Sequence, residues 1–231
     1  MAGSPRAFVL RHTQPRPVPG LEAIRLHLAD DALQVWHAAQ VETGDPDAPI
    51  PYWAFAWAGG LALCRYLAEH PEVVAGRRIL DLASGSGLCA IAALEAGASS
   101  ATAVDVDGHA AAAIGLNARA NRRRVAVVQR DILDEGPPDV DVILAGDCWY
   151  EAALAGRVTS WLRRARDAGI DVLVGDPGRA YLPTDELVEL AVYDVRTTTE
   201  LEDLDRKEGR VFALARAGGL IVPASPRPAA R

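Results

Sequence analysis

The run Asp81-Leu82-Ala83-Ser84-Gly85-Ser86-Gly87-Leu88 constrains this chain more than any other. The apolar residues Ile79 to Leu82 at its start read as a short buried strand. Leu88 to Ala96 behind it is an alanine-rich helix that stops at Gly97. Glycines between a strand and a helix permit positive φ and let the backbone come close to a ligand. A strand, a glycine loop and a helix in this order are the setting of a nucleotide-binding βα unit, or else of a tight turn with no ligand.

The alternation continues downstream. Ala101 to Val106, Val125 to Gln129, Val140 to Ala145 and Ile170 to Gly175 read as strands. His109 to Ala120 and Glu151 to Ala168 read as helices. Such alternation implies a parallel sheet with helices on both faces. Two β-rich runs, Glu189 to Thr199 and Arg210 to Arg216, then follow without a helix between them. They predict a hairpin at the sheet edge, the ending that separates the methyltransferase sheet from an ordinary dinucleotide fold. The expected architecture is therefore α/β: a Rossmann-like seven-stranded sheet, mostly parallel, with an antiparallel C-terminal hairpin and an N-terminal helical extension.

Residues 1–20 hold four prolines and read as an arm. Leu21 to Glu42 places Ile24, Leu28, Ala32, Val35, Trp36 and Ala39 at helical spacing, which predicts a helix packed on the domain. Residues 1–45 are thus expected to be arm and helix, and 46–222 the main domain, with a helix from Trp57 to Glu69. The proline- and alanine-rich tail, 223–231, is expected to be disordered. Hydrophobic residues make up 50% of the 231, enough for a sizeable core.

The formal net charge of −7 works against nucleic acid as a partner and suits a basic, lysine-bearing one. The three cysteines, Cys64, Cys89 and Cys148, form no disulfide framework, which points to a reducing, cytoplasmic compartment. Without Cys-x-x-Cys or spaced histidines, no metal is expected. The longest uncharged stretch, Ala48 to Cys64, is broken by Pro49, Pro51, Gly59 and Gly60. It falls short of the ~20 apolar residues of a membrane span.

Gly85-x-Gly87-x-x-Ala90, with Asp105 twenty residues past Gly85, also fits a dinucleotide fingerprint. Asp81 decides against that reading. A carboxylate at the mouth of the loop repels a pyrophosphate and favours the ammonium and sulfonium of S-adenosyl-L-methionine. Ser84, Gly85 and Gly87 supply the loop. Asp105, ending the second strand, is placed to accept the ribose hydroxyls, with Asp107 as the alternative holder or a helix N-cap. Asp131, after the third strand, is placed for the adenine amino group. Ligands of open α/β sheets sit at these carboxyl ends of strands.

The fourth strand ends in Gly146-Asp147-Cys148-Trp149-Tyr150-Glu151. No Asn-Pro-Pro-Tyr, the sequence that serves planar amides and base amines, is present. An ε-amine must lose its proton and its water before it attacks. Asp147 can orient such an amine, and Trp149 and Tyr150 can wall a channel for it, unless Trp149 is plain core packing. Pro51-Tyr52-Trp53-Ala54-Phe55-Ala56-Trp57 concentrates aromatics that either line the entrance and cover the cofactor, with Trp53 and Trp57 foremost, or pack under the sheet. Gly59-Gly60 suggests close backbone approach. Arg179 and Tyr181, after the fifth parallel strand, either shape the target channel or belong to a Pro177-Gly178 turn. The acidic run Glu200 to Asp205 is a solvated loop or a landing place for a lysine-bearing protein.

These residues resemble the seven-β-strand lysine methyltransferases with a D-x-x-Y motif, here Asp147-Cys148-Trp149-Tyr150. Within them the chain is most similar to the electron-transfer flavoprotein β-subunit lysine methyltransferases. The resemblance is carried by residues 51–60, 80–93, Asp105-Val106-Asp107, Asn117-Ala118, 146–151 and 175–183, and spans about residues 20–216. Ala83 departs from it, since the family loop usually has glycine there. The resemblance implies catalytic roles for Asp147 and Tyr150, a channel that includes Glu151, and S-adenosyl-L-methionine as cofactor. It further implies methylation of lysines on the electron-transfer flavoprotein β-subunit, with a ribosomal stalk protein as a second target. A nicotinamide-like small amine is the alternative substrate. A cofactor-binding module without catalysis and a nicotinamide-dinucleotide oxidoreductase are the readings from other classes.

Overall fold

The structure is a computed structural model and describes residues 3–197 and 206–215. Helix α1 (Pro5–His12) opens the chain, with Ser4 as its N-cap and Pro5 in its first turn. Strands β1 (Gln14–Val18) and β2 (Leu21–Leu28) follow as an antiparallel hairpin. Helix α2 (Ala32–Thr43) is capped by Asp31, whose carboxylate accepts the Gln34 N–H at 2.9 Å.

Two expectations are corrected here. Residues 21–28 are a strand and not the first half of a helix. Ile24 and Leu28 stand four apart, as in a helix, but Leu26 between them is also buried, so the inward face repeats every second residue. The expected arm is partly core: Phe8 and Val9 are buried, and Phe8 packs edge-on against Trp53 and beside His109.

Helix α3 (Ala58–Glu69) leads into the alternating part. Its elements are β3 (Arg78–Leu82), α4 (Leu88–Glu95), β4 (Ser100–Asp105), α5 (Gly108–Ala120), β5 (Ala126–Gln129) and β6 (Val142–Gly146). They continue with α6 (Ala152–Asp167), β7 (Asp171–Asp176), β8 (Leu187–Arg196) and β9 (Arg206–Leu214). The sheet order is β5-β4-β3-β6-β7-β9-β8. The first five run parallel, and β9 pairs antiparallel with both β7 and β8. The seven-stranded sheet with a C-terminal antiparallel hairpin is the expected one. The acidic run 200–205 and the tail 223–231 lie outside the described residues.

The strands alternate between two cores. Ile79, Ala103, Leu144 and Leu173 face one side with α3 and α4. Leu80, Val104, Ile143 and Val174 face the other, against α6. Strands buried on both faces are why these runs are apolar throughout instead of alternating with polar residues. A third cluster joins α1, α2 and α5 around Trp53. In register, Asp81 lies beside Ala103 and Leu144, and Gly146 beside Gly175, so the carboxyl ends of β3, β4, β6 and β7 form one rim. Order reverses between β3 and β6, and that is where a crevice opens. Among the described residues no helix is long and apolar enough to cross a membrane.

Candidate active site

The loop after β3 is held from several sides. Ser84 donates its N–H to Val104 O at 3.0 Å, and Gly85 donates to Asp105 Oδ2 at 2.8 Å. The buried Asn117 of α5 donates Nδ2 to Ser86 O, while its Oδ1 accepts the His27 N–H of β2, both at 2.7 Å. One side chain thereby ties the loop to the N-terminal hairpin. Gly85 and Gly87 have φ of 54° and 82°, and Ala83 shares that left-handed region at 50°.

The Asp81 side chain is buried beneath the loop. Its Oδ2 accepts the Ser84 hydroxyl at 2.5 Å and the Ala90 N–H at 3.0 Å. Burial pushes its carboxyl up to about 7, against the pull of those two donors. Ala90 lies in the first turn of α4, whose free N–H groups would cradle a pyrophosphate in a dinucleotide fold. Here a carboxylate of the protein takes that place. Asp105 accepts Gly85 N–H with one oxygen and Asp107 N–H, at 3.0 Å, with the other. The Val106 N–H is a third donor, and three donors leave the two oxygens with acceptor capacity to spare. Burial raises the Asp105 carboxyl as well.

A cavity of about 1030 Å³ opens over this rim. Asp81, Ser84, Gly85, Asp105, Asp107 and Asp131 all border it. An acidic cradle with a filled helix N-terminus fits a cationic nucleoside and opposes a diphosphate, so the residues present fit S-adenosyl-L-methionine.

Tyr52, Trp57 and Tyr150 line the same cavity. The Tyr52 ring lies 5.0 Å from that of Tyr150 and 5.5 Å from that of Trp57, and Trp57 Nε1 donates to Tyr52 O at 2.8 Å. Burial pushes the Tyr150 phenol up to about 12, so it is a neutral hydroxyl at physiological pH. Asp147 borders the cavity too, with φ 58° and a side chain 10% exposed. Its Oδ2 accepts the Gly60 N–H at 2.7 Å, and its Oδ1 pairs with Arg179. Glu151 borders the same space.

Residues 62–146 match the family model of ribosomal protein L11 methyltransferase (PrmA). That match ends one residue before Asp147, so it covers the cofactor half and not the substrate side. The chain is 36% identical over 222 residues to the electron transfer flavoprotein beta subunit lysine methyltransferase of Xenopus laevis, covering 92% of this chain and 87% of that one. The chain belongs to that family. Its Danio rerio relative of the same name is 45% identical over 134 residues, 57% of this chain and 52% of that one. The fold is shared with a magnesium protoporphyrin IX methyltransferase of Synechocystis PCC 6803 solved with bound S-adenosylmethionine. There the TM-score is 0.50 and the identity 12%, over 68% of this chain and 78% of that one. The protein is an S-adenosyl-L-methionine-dependent methyltransferase.

In this methyltransferase most of the sequence-selected residues meet at one cavity, and some do not. Trp149 is no part of the channel wall: it is 1% exposed, packs under α6 and donates Nε1 to Thr159 Oγ1 at 3.1 Å. The turn at Asp147 points the next two side chains, Cys148 and Trp149, into the core. Tyr181 is half-exposed and does not border the cavity. Gly87 caps α4 beside Ile114 and is likewise off the cavity. Asp107 is the N-cap of α5, accepting the His109 N–H at 2.8 Å, while also bordering the cavity. Trp53 is buried against Phe8 and His109, with its backbone beside Gly85. Asp131 accepts Leu133 N–H and pairs with Arg157 at 2.8 Å; together they hold its carboxyl below the usual range. Sequence reasoning named no part for Arg157, quoted Asn117 and Asp176 only as carriers of the resemblance, and left Tyr52 among the aromatics of residues 51–57. Arg157 is separated from its acid by 26 positions, so no local pattern exposes the pair. Asp176, next to a Pro-Gly turn at a strand's carboxyl end, carried the same signal as Asp105.

Proposed function

We propose that this methyltransferase modifies lysine ε-amines of the electron-transfer flavoprotein β-subunit. The likeness to the Xenopus laevis enzyme supports this most, because it runs through the substrate side as well as the cofactor loop. The site chemistry supports it too. Bound S-adenosyl-L-methionine supplies a methyl group on a sulfonium, which an amine takes with its lone pair, leaving the thioether and one proton for solvent.

A lysine amine has a pKa of about 10.4 in water and must reach the methyl group neutral and aligned. Asp147 offers carboxylate oxygens already oriented by Gly60 and Arg179. Tyr150 serves as a hydrogen-bonding hydroxyl, since its raised pKa rules out a phenolate base at neutral pH. Tyr52 and Trp57 complete an apolar wall that strips water from the aliphatic stem and the amine. Asp81, Ser84, Gly85 and Asp105 would hold the cofactor, with Asp107 and Asp131 at its margin. The three cysteines are buried and free, which supports our reading of a reducing, cytoplasmic setting.

The test is incubation with labelled S-adenosyl-L-methionine and, separately, the purified flavoprotein β-subunit, ribosomal protein L11 and nicotinamide. Label on lysines of the flavoprotein subunit is expected. Label confined to nicotinamide or to the ribosomal protein would defeat the proposed target.

A further inference from the structure

We propose that Arg179 is a positioning residue for the target amine: clamped by Asp176, its guanidinium orients Asp147 and offsets that carboxylate's hold on the amine's proton. This rests on the amine substrate proposed above. The clamp begins at the end of β7. The Asp176 side chain is wholly inaccessible, and its Oδ1 accepts the N–H groups of Gly178 and Arg179 at 2.8 and 2.7 Å. Its Oδ2 lies 3.3 Å from Arg179 Nη1. Backbone and side chain of Arg179 are therefore fixed by one carboxylate. The same Nη1 reaches Asp147 Oδ1 at 2.5 Å, while Gly60 takes the other oxygen. Burial works against the Arg179 charge, yet the two aspartates outweigh it and raise the guanidinium.

The charge balance gives the arrangement a purpose. A bare carboxylate beside a lysine favours the ammonium, which cannot attack, whereas a nearby cation favours the neutral amine. With Arg179, the cluster of two carboxylates and one guanidinium carries −1; without it, −2. Among the described residues, Arg179 is the cation paired with Asp147. Asp81 from β3, Asp105 and Asp107 at the end of β4, Asp131 after β5 and Glu151 after β6 face the same cavity against Lys207 of β9, Arg130 and Arg157, so acids still outnumber bases, and Arg157 and Arg130 are engaged by Asp131 and Glu135. The phenols and thiols nearby, Tyr52, Tyr150, Cys89 and Cys148, are all raised and stay neutral at pH 7.

The experiment compares Arg179→Gln, Arg179→Lys and Asp176→Asn. The rate on the flavoprotein β-subunit is followed from pH 6.5 to 10. Calorimetry measures affinity for that protein with S-adenosylhomocysteine bound. In Arg179→Gln the rising limb should move up by about one pH unit, costing roughly tenfold in rate near pH 7.5 and little at pH 10. The same variant should bind its target severalfold more tightly, so KM and kcat fall together. Arg179→Lys should keep the original limb. Asp176→Asn, which leaves the cluster neutral, should move it down. A loss in Arg179→Gln that is equal at every pH, with unchanged affinity, would make Arg179 a structural brace and overturn the proposal; so would an unmoved limb in Asp176→Asn. If the unaltered enzyme leaves the flavoprotein subunit unlabelled, the substrate reading fails by itself. The clamp still predicts that Arg179→Gln, with two facing carboxylates and no guanidinium between them, melts higher as pH falls from 7 to 5, relative to the unaltered protein. Parallel melting curves would overturn it.

Discussion

Gly59 and Gly175 meet backbone to backbone: a Cβ on Gly175 would lie 2.1 Å from Gly59 O, and one on Gly59 2.2 Å from Gly175 O. This contact seats the first turn of α3 on the ends of β6 and β7 and brings the Gly60 N–H to Asp147. Gly59→Ala or Gly175→Ala must push helix and sheet apart. The expected loss is about 3 kcal/mol, with a melting drop on the order of 10 °C. Gly60→Ala is the control. Its added Cβ would meet nothing nearer than 3.8 Å, and alanine favours a helix by about 1 kcal/mol over glycine. Thermal denaturation of the three variants checks the contrast, and equal behaviour of Gly59→Ala and Gly60→Ala would refute it.

Asp81 makes cofactor binding depend on pH. Its carboxyl titrates near 7 in the folded protein because it is buried, and near 3.9 when unfolded. As pH rises from about 4 to 7, the unfolded chain releases a proton that the folded one keeps, so this group's contribution to stability falls across that window and then levels off. A cationic ligand favours the ionised form. Binding should release a proton below pH 7 and tighten by up to about tenfold per unit as pH rises from 5 to 7. Calorimetry of S-adenosyl-L-methionine in buffers of different ionisation heat measures the proton. Asp81→Asn should bind weakly and with a smaller proton release, the raised Asp105 carboxyl supplying what remains; identical buffer dependence in the variant would remove Asp81 from this role.

Ala83 stands where its own side chain is unwelcome. At φ 50° an L-residue costs roughly 1–2 kcal/mol, while a glycine there adds about 0.4–1 kcal/mol of unfolded-state entropy. Ala83→Gly should therefore gain about 0.5–1 kcal/mol, raise the melting temperature by a few degrees and leave cofactor affinity within twofold. A lower melting temperature would show that the strain is relieved elsewhere.

What could be read from the sequence was what short stretches encode. The glycine loop, the acids at the ends of β3 and β4, and the apolar strands each carry their own pattern. Long-range pairings stayed hidden. Residues 21–28 become a strand through β1, and Asn117 of α5 and its C-cap Asn121 then hold the Arg25 and His27 backbone. Asp131 lies at its expected strand end, but one of its oxygens belongs to Arg157 of α6. Trp149 sits in the right motif and faces the wrong way, because the left-handed turn at Asp147 sends it into the core.

That left-handed turn also decides how Asp147 should be tested. Its φ of 58° suits aspartate and asparagine and disfavours alanine. Asp147→Ala would combine lost charge with backbone strain and with an unpaired Gly60 N–H and Arg179 guanidinium. Asp147→Asn keeps the conformation and an oxygen for one donor, removing chiefly the charge. We expect Asp147→Asn to melt a few degrees below the unaltered protein, with one donor unmet, and Asp147→Ala lower still, with two unmet donors and a strained φ, since buried unmet donors cost about 1–3 kcal/mol each. Cofactor affinity should stay within a few-fold in Asp147→Asn, because the Asp147 carboxylate is engaged by Gly60 and Arg179 and makes no hydrogen bond to the loop after β3. Methyl transfer should fall by at least about 100-fold if the carboxylate orients the amine. Steady-state rates, calorimetry and melting curves on the same preparations separate these effects. Near-normal turnover in Asp147→Asn would reduce the carboxylate to a hinge between α3 and the sheet.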